Sequence, residues 1–295
     1  MTSPSSLSAE ALASWDANAT YWDDAITRDG NKYWRRLQEP SLQRLLGPKL
    51  LVANSGLGGL RALEFATGNG LCTRWLAREM RRQNLGHHCD ILATDGSEEM
   101  LKTARRHFLE EYGEEEGERG GVSTRWRRVD VTSKEVLDTL VKEEGRFDII
   151  LINMALMDVA DLHPLAKAVS NLLALNGVFV ATVLHPAFVT SNASRHLEIR
   201  NNPETGELEI IRGKIIREYM SVPPYKGVAV PGQPQKQIYF HRTMQDLFLP
   251  FFAVGLVMDA LEELAFDKED AVERIEASSN YTQLPFILSF RMKRP

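Results

Sequence analysis

From residue 61 to residue 186 the chain alternates short apolar runs with longer stretches of helical periodicity. The runs are Ala62-Leu63-Glu64-Phe65-Ala66, Ile91 to Asp95, Trp126 to Val131, Phe147 to Ile152 and Val178 to Leu184. The intervening stretches, 71–83, 97–112, 133–144 and 163–175, read as helices; Trp75, Leu76 and Met80 share one side of the first, and Asn176-Gly177 stops the last. Strands that are apolar throughout and separated by helices belong in a parallel sheet covered on both faces. A helix over 243–252 and strands over 256–264 and 286–292 complete a seven-stranded Rossmann-like α/β sheet.

Two segments stand outside this alternation. Residues 1–50 read as a helical cover: structure begins near Ser8, a dense aromatic stretch (Trp15, Tyr21, Trp22, Tyr33, Trp34) is broken by a turn at Arg28-Asp29-Gly30-Asn31, and Gly47-Pro48 ends the helix that follows. Residues 187–242 carry Asn202-Pro203, Pro223-Pro224 and Pro231-Gly232, with strand-like pieces at 208–211 and 214–220. An insertion of about 55 residues far exceeds a usual connection of about 2–6 and is expected to be a substrate lid. The expected organisation is therefore a cover at 1–50, a core at 51–186, a lid at 187–242 and the closing part of the core at 243–295.

Composition removes several function classes. With 35 basic and 40 acidic side chains the net charge is −5, which argues against a protein built to neutralise phosphates, so no nucleic-acid partner is expected. The arginines of Arg125-Trp126-Arg127-Arg128 sit beside an acidic loop that would repel phosphate. Cys72 and Cys89 form no CxxC pair, and His87-His88-Cys89 lacks a second pair of ligands, so neither a disulfide framework nor a metal site is expected. No apolar window is long enough to span a membrane and no leader precedes the first helix, which points to a soluble, cytoplasmic protein. Asn-x-Ser/Thr triplets at Asn18, Asn192 and Asn280 are then without consequence.

The first strand ends in Glu64-x-Ala66-x-Gly68-x-Gly70 and runs directly into a helix, so the backbone can turn tightly and a ligand can approach it. Asp95 closes the second strand, where a carboxylate can accept hydrogen bonds from both hydroxyls of a ribose. A dinucleotide prefers a third Gly or Ala after this turn, but the position is Thr73. A nucleoside bearing an amino acid has no phosphate to cradle and needs an acid for its ammonium, a role open to Glu64 directly or through water.

At these residues the chain resembles the class I S-adenosylmethionine-dependent methyltransferases. Glu64-x-Ala66-x-Gly68-x-Gly70 is similar to their first motif, and Ala93-Thr94-Asp95-Gly96-Ser97-x-x-Met100-Leu101 to their ribose site. Asp130-Val131 stands where that family places an acid near the adenine, and Asn153-Met154 where backbone borders the methionine half of the cofactor. Trp15-Asp16-Ala17-Asn18-Ala19-x-Tyr21-Trp22, Leu184-His185-Pro186-Ala187-Phe188 and Tyr239-Phe240-His241-Arg242 resemble a small-molecule branch of it. The resemblance implies an antiparallel last strand, S-adenosyl-L-methionine as cofactor, a small-molecule acceptor and in-line methyl displacement.

Tyr21 and Trp22 are candidates for an aromatic flap over a cationic sulfonium, or pack the N-terminal helices onto the sheet. His185 and His241 bracket the insertion and are candidate bases; each could instead hold a turn. Tyr219, Tyr225 and Tyr239 are candidates for lining the acceptor site. Methylation of oxygen is favoured over nitrogen, sulfur or carbon. The rival readings are a catalytically silent S-adenosylmethionine-binding scaffold and a nucleotide-dependent oxidoreductase. The acceptor and the oligomeric state are not written in the sequence.

Overall fold

The computed structural model describes residues 4–52, 59–82, 89–113, 121–191, 193–271 and 278–295. Its centre is a seven-stranded sheet of β1 (Arg61–Phe65), β2 (Cys89–Asp95), β3 (Val122–Arg128), β4 (Phe147–Asn153), β5 (Leu173–Leu184), β10 (Val257–Leu264) and β11 (Ile287–Lys293), in the order β10-β11-β5-β4-β1-β2-β3. The first five are parallel, and β11 runs antiparallel between β5 and β10. The helices are α1 (Pro4–Ile26), α2 (Glu39–Val52), α3 (Leu71–Arg82), α4 (Glu98–Tyr112), α5 (Lys134–Glu144), α6 (His163–Leu172) and α7 (Met244–Ala253).

Alternation along the strands divides the core into two layers. Leu63, Phe65, Ile150, Ile152, Phe179 and Ala181 face α5, α6 and α7, whose Leu140, Leu165, Val169 and Phe251 are fully buried. Ala62, Ile91, Ile149, Leu151, Val178 and Val180 face the opposite way, onto Leu42, Leu46, Leu50, Trp75 and Leu76 of α2 and α3. Local signals set the helix ends. Ser97, Ser133 and Thr243 cap α4, α5 and α7 by accepting from the amides of Met100, Val136 and Asp246. The arginines of β3 serve this fold: Arg125 pairs with Asp90 and Glu144, Arg127 with Glu143.

Four boundaries depart from the sequence reading. Helix α1 begins at Pro4 rather than near Ser8. Gly47-Pro48 does not end α2, which continues to Val52, because Leu42, Leu45, Leu46 and Leu50 are all buried and the Leu45 carbonyl accepts from Arg291. Tertiary burial of that leucine face outweighs the local cost of proline in a helix, about 3 kcal/mol. Helix α6 ends at Leu172, three residues early, and Asn176-Gly177 instead forms a bulge within β5, where the register against β4 slips and Asn176 has φ +62°. The third strand lies at Val122–Arg128, upstream of its expected place. The His87-His88 turn and Asn192 lie outside the described residues.

The insertion forms two hairpins. β6 (Ala193–Asn201) pairs with β7 (Leu208–Ile216), and β8 (Tyr225–Gly227) pairs with β9 (Gln237–Tyr239). Of these, only β7 was legible as a strand. Arg242 anchors the return to the body: its guanidinium donates to the carbonyls of Leu156, Val159, Ala160 and Phe240.

The reversal of strand order between β1 and β4 places a cleft over the C-terminal ends of β1, β2 and β4, the switch point of an open parallel sheet. Gly70, at φ +76°, lies under α4 so closely that an added Cβ would stand 2.9 Å from the Ala104 Cβ and 3.0 Å from its Cα. Gly70→Ala should therefore lower stability by about 2 kcal/mol or more, from left-handed strain of about 1–2 kcal/mol plus the contact. Chemical denaturation of the two proteins measures this.

Candidate active site

The turn between β1 and α3 is left-handed at three positions, with φ +52° at Ala66, +58° at Gly68 and +76° at Gly70. Alanine at the first of these adopts a conformation that costs a residue with a Cβ about 1–2 kcal/mol, so the turn is held from below. Glu64 does the holding. It is 1% exposed, and its Oε2 accepts from Thr67 Oγ1 at 3.2 Å and from Thr73 Oγ1. Burial pushes its pKa up to about 7 against the pull of these two hydroxyls. Thr73, which crowds a dinucleotide fingerprint, is thus the hydroxyl that closes the turn over Glu64.

Asp95 joins the neighbouring turns. Its Oδ2 accepts the Gly68 amide at 2.8 Å and its Oδ1 the Ser97 amide at 2.8 Å, so the ends of β1 and β2 share one carboxylate. Burial raises its pKa to about 6 in spite of these bonds. Gly96 follows, with the Met100 side chain buried beneath α4. At the end of β3, Asp130 accepts the amide and hydroxyl of Thr132, and Val131 packs against the core.

Helix α1 lies across these turns. Leu12 would stand 2.8 Å from a Cβ on Gly96, and Asp16 accepts the Ser97 hydroxyl at 2.5 Å. Asp23 receives Asn69 of the first turn at 3.1 Å and His107 of α4 at 2.8 Å. Trp22 stacks on Trp15 with ring centroids 5.6 Å apart, and its Nε1 is buried without a hydrogen-bond partner. Tyr21 reaches the insertion instead: its hydroxyl donates to the carbonyls of Val230 and Pro231. Asn18 exchanges two 2.9 Å bonds with the Gln235 backbone, so α1 and the 230–235 loop are latched together.

At the end of β4 the Asn153 side chain is taken up by Gln38 at 2.9 Å and Thr182 at 2.6 Å. Met154 is left-handed, φ +55°, with its amide turned back to Thr182. Two residues on, Leu156 and Met157 begin the wall of a small, partly open cavity, completed by Val183, Leu184, Pro186, Val189 and Leu247 and by Tyr225, Tyr239, Phe240, His241 and Arg242. His241 Nε2 lies 2.7 Å from the Tyr219 carbonyl oxygen, which makes Nε2 the protonated nitrogen and leaves Nδ1 its lone pair. Tyr219 stands behind it and accepts the Met244 amide at its hydroxyl.

His185 is placed elsewhere. It is 3% exposed and absent from the cavity wall; Nδ1 accepts the Ala187 amide at 3.2 Å and Nε2 donates to Glu263 at 2.9 Å. Burial lowers its pKa against the raising effect of Glu263, so the ring is neutral with both nitrogens engaged. It holds the turn from β5 into the insertion, the second of its two expected roles. The two histidines that bracket the insertion therefore do not converge on one pocket. Asp158, just past Met157, escaped the sequence reading: both its carboxylate oxygens are buried without a partner. Its signal was an acid in an apolar stretch after a strand end, indistinct beside Asp161, which serves as an ordinary helix-start residue bonded to His163.

This arrangement is a pair of tied strand-end turns beside a largely apolar cavity, and its fold can be compared with known proteins. Residues 62–177 match the model of a methyltransferase domain. Over those residues the chain is similar to a methyltransferase domain. No curated protein matches the chain. Among solved structures it is similar to an S-adenosylmethionine-dependent methyltransferase from Mesorhizobium loti, 22% identical over 85% of this chain and 98% of that one, with a TM-score of 0.56. A second, from Clostridium acetobutylicum, is 14% identical over 95% and 98% of the chains, TM-score 0.52. The magnesium protoporphyrin IX methyltransferase of Synechocystis, with bound S-adenosylhomocysteine, is 12% identical over 98% and 99%, TM-score 0.53. At these identities the likeness establishes the methyltransferase fold, including the antiparallel last strand. Among the described residues no helix is long and apolar enough to cross a membrane.

Glu64 gives the fold a pH signature. Its pKa is raised in the folded state to about 7 from an ordinary 4.5, so the folded protein binds the extra proton. Its contribution to stability is complete below about pH 4.5 and is lost as pH rises through about 7. Glu64→Gln, which keeps the acceptor oxygen and the volume, should gain on the wild type in Tm as pH rises across that window. Thermal melts at several pH values read the difference.

Proposed function

We propose that this protein transfers the methyl group of S-adenosyl-L-methionine to a small organic acceptor held beneath the 187–242 lid, with oxygen the favoured acceptor atom. One observation carries the reading: the strand-end turns that suit a nucleoside and the apolar cavity meet at the end of β4, where Met154 is followed within three residues by the cavity residues Leu156 and Met157. The residues fit the cofactor. Each Asp95 oxygen retains a lone pair beyond its bond to backbone, a Cβ on Gly68 would face open space, and the buried Trp22 Nε1 is an unused donor under α1. When bound, the cofactor supplies an electrophilic methyl on a sulfonium.

The chain's own residues then have distinct tasks. Asp95 receives the ribose hydroxyls, and the Asp130-Val131 end of β3 borders the base. Asn153, immobilised by Gln38 and Thr182, and Met154 offer a rigid rim to the methionine half. Glu64 acts through the turn, since its carboxylate is occupied by Thr67 and Thr73. Tyr21 and Trp22 of α1, latched to the lid loop through Asn18 and Tyr21, exclude water. Tyr225 and Tyr239 orient the acceptor, and His241 Nδ1 takes its proton as the bond to the methyl forms.

Calorimetric titration tests the cofactor assignment. S-adenosylhomocysteine should bind at micromolar concentration and NAD should not, and Asp95→Asn should weaken the former by about ten- to a hundredfold through loss of a charge-assisted bond. Unchanged affinity in the variant, or binding of NAD alone, would overturn the assignment. With an acceptor panel, His241→Phe should lower kcat by about a hundredfold while leaving S-adenosylhomocysteine affinity intact.

A further inference from the structure

Asp158 has no task in that scheme, yet its placement is costly. Part of the residue reaches the surface, but both carboxylate oxygens are sealed from solvent and neither has a hydrogen-bond partner. Burial alone pushes this carboxyl well above the ordinary range, with no favourable interaction opposing it. Arg242 does not help: it spends its donors on the carbonyls of Leu156, Val159 and Ala160, next to Asp158 in the chain, and of Phe240. Among the described residues no cation pairs with Asp158.

Its electrostatic neighbours are Tyr225 and Tyr239, whose hydroxyl pKa values are raised by burial first and by Asp158 next. These two rings face each other with centroids 5.4 Å apart across the β8–β9 hairpin, and both line the cavity. Leu156 and Met157, the two residues before Asp158, line it as well. Phe240, His241 and Arg242 line it too, the Arg242 donors being spent on backbone carbonyls, and the rest of the wall is aliphatic. A buried carboxyl without a counter-ion, close to two tyrosines of the cavity wall, is the chemistry that receives an organic ammonium: the carboxylate supplies charge and the rings supply cation–π attraction.

We propose that Asp158 is a specificity-determining residue of the acceptor site, and that the acceptor is a small, mainly apolar molecule carrying a basic nitrogen, held by Asp158 beside Tyr225 and Tyr239. The inference rests on the cavity being the acceptor site and names the class of molecule that enters it. The nitrogen is the handle by which the acceptor is oriented. Because both rings stand in the β8–β9 hairpin, a shift of that hairpin opens the carboxylate to the cavity.

The test uses the full chain and two probes of equal size, 2-phenylethylamine and 2-phenylethanol, titrated by calorimetry. The amine should bind the wild type at least about tenfold more tightly than the alcohol, and in Asp158→Asn and Asp158→Leu the ratio should fall to near one. Tm should be unchanged or higher in both variants, because an unpartnered buried carboxyl is removed; a purely structural role would lower it. Equal binding of the two probes, no binding of the amine at millimolar concentration, or an amine preference that survives in Asp158→Asn would overturn the proposal. The titration needs no cofactor, so a protein that prefers the amine but ignores S-adenosylhomocysteine would sink the proposed function and leave the amine site standing.

Discussion

One carboxylate holds together the edge on which everything else is built. Asp95 accepts the Gly68 amide with one oxygen and the Ser97 amide with the other, so the β1 and β2 turns cannot separate without leaving a buried charge unpaired. The parallel sheet makes this possible: strands running the same way bring successive turns to one edge, and backbone amides at those turns point toward the shared acid. Glu64 does the same one layer lower, through two threonine hydroxyls. Both acids lose hydration on burial, with the Asp95 charge adding to the effect on Glu64 and the Asp16 charge to that on Asp95, which is why both titrate above their ordinary range. A stability cost at a site edge is typical of places where geometry is kept for a ligand.

The cover and the insertion are coupled to that edge rather than added to it. Asp16 and Asp23 tie α1 to the caps and turns of the body, while Asn18 and Tyr21 on the same helix hold the 230–235 loop. Arg242 pins the other end of the insertion to the loop after β4. One helix thus touches both the strand-end turns and the insertion.

Much of the body was readable because its signals are local. Alternating apolar runs placed five strands in their order along the chain, Ser97 and Thr243 marked helix starts, and the Gly-rich turn with Asp95 about 25 residues later marked the two strand ends that the structure ties together. The boundaries that moved did so under tertiary forces: four buried leucines carry α2 through Gly47-Pro48, and pairing with β4 draws Leu173 out of its helix into β5. The partner strand β6 was invisible because Ala193–Asn201 is polar and mostly exposed, so it carries no two-fold apolar pattern.

The sequence by itself determined the sheet, its helices and the residues at its C-terminal edge, because burial periodicity and turn chemistry act over a few neighbouring residues. Only the tertiary structure decided which candidates meet. His185 and His241 are equivalent in sequence, each beside the insertion, yet one is spent on Glu263 and Ala187 while the other lines the cavity. Asp158 looked like one more acid after a strand end, and became distinctive only in the fold, which buries both its carboxylate oxygens with no partner. Whether a side chain is satisfied depends on groups far along the chain, and those distances are set by folding alone.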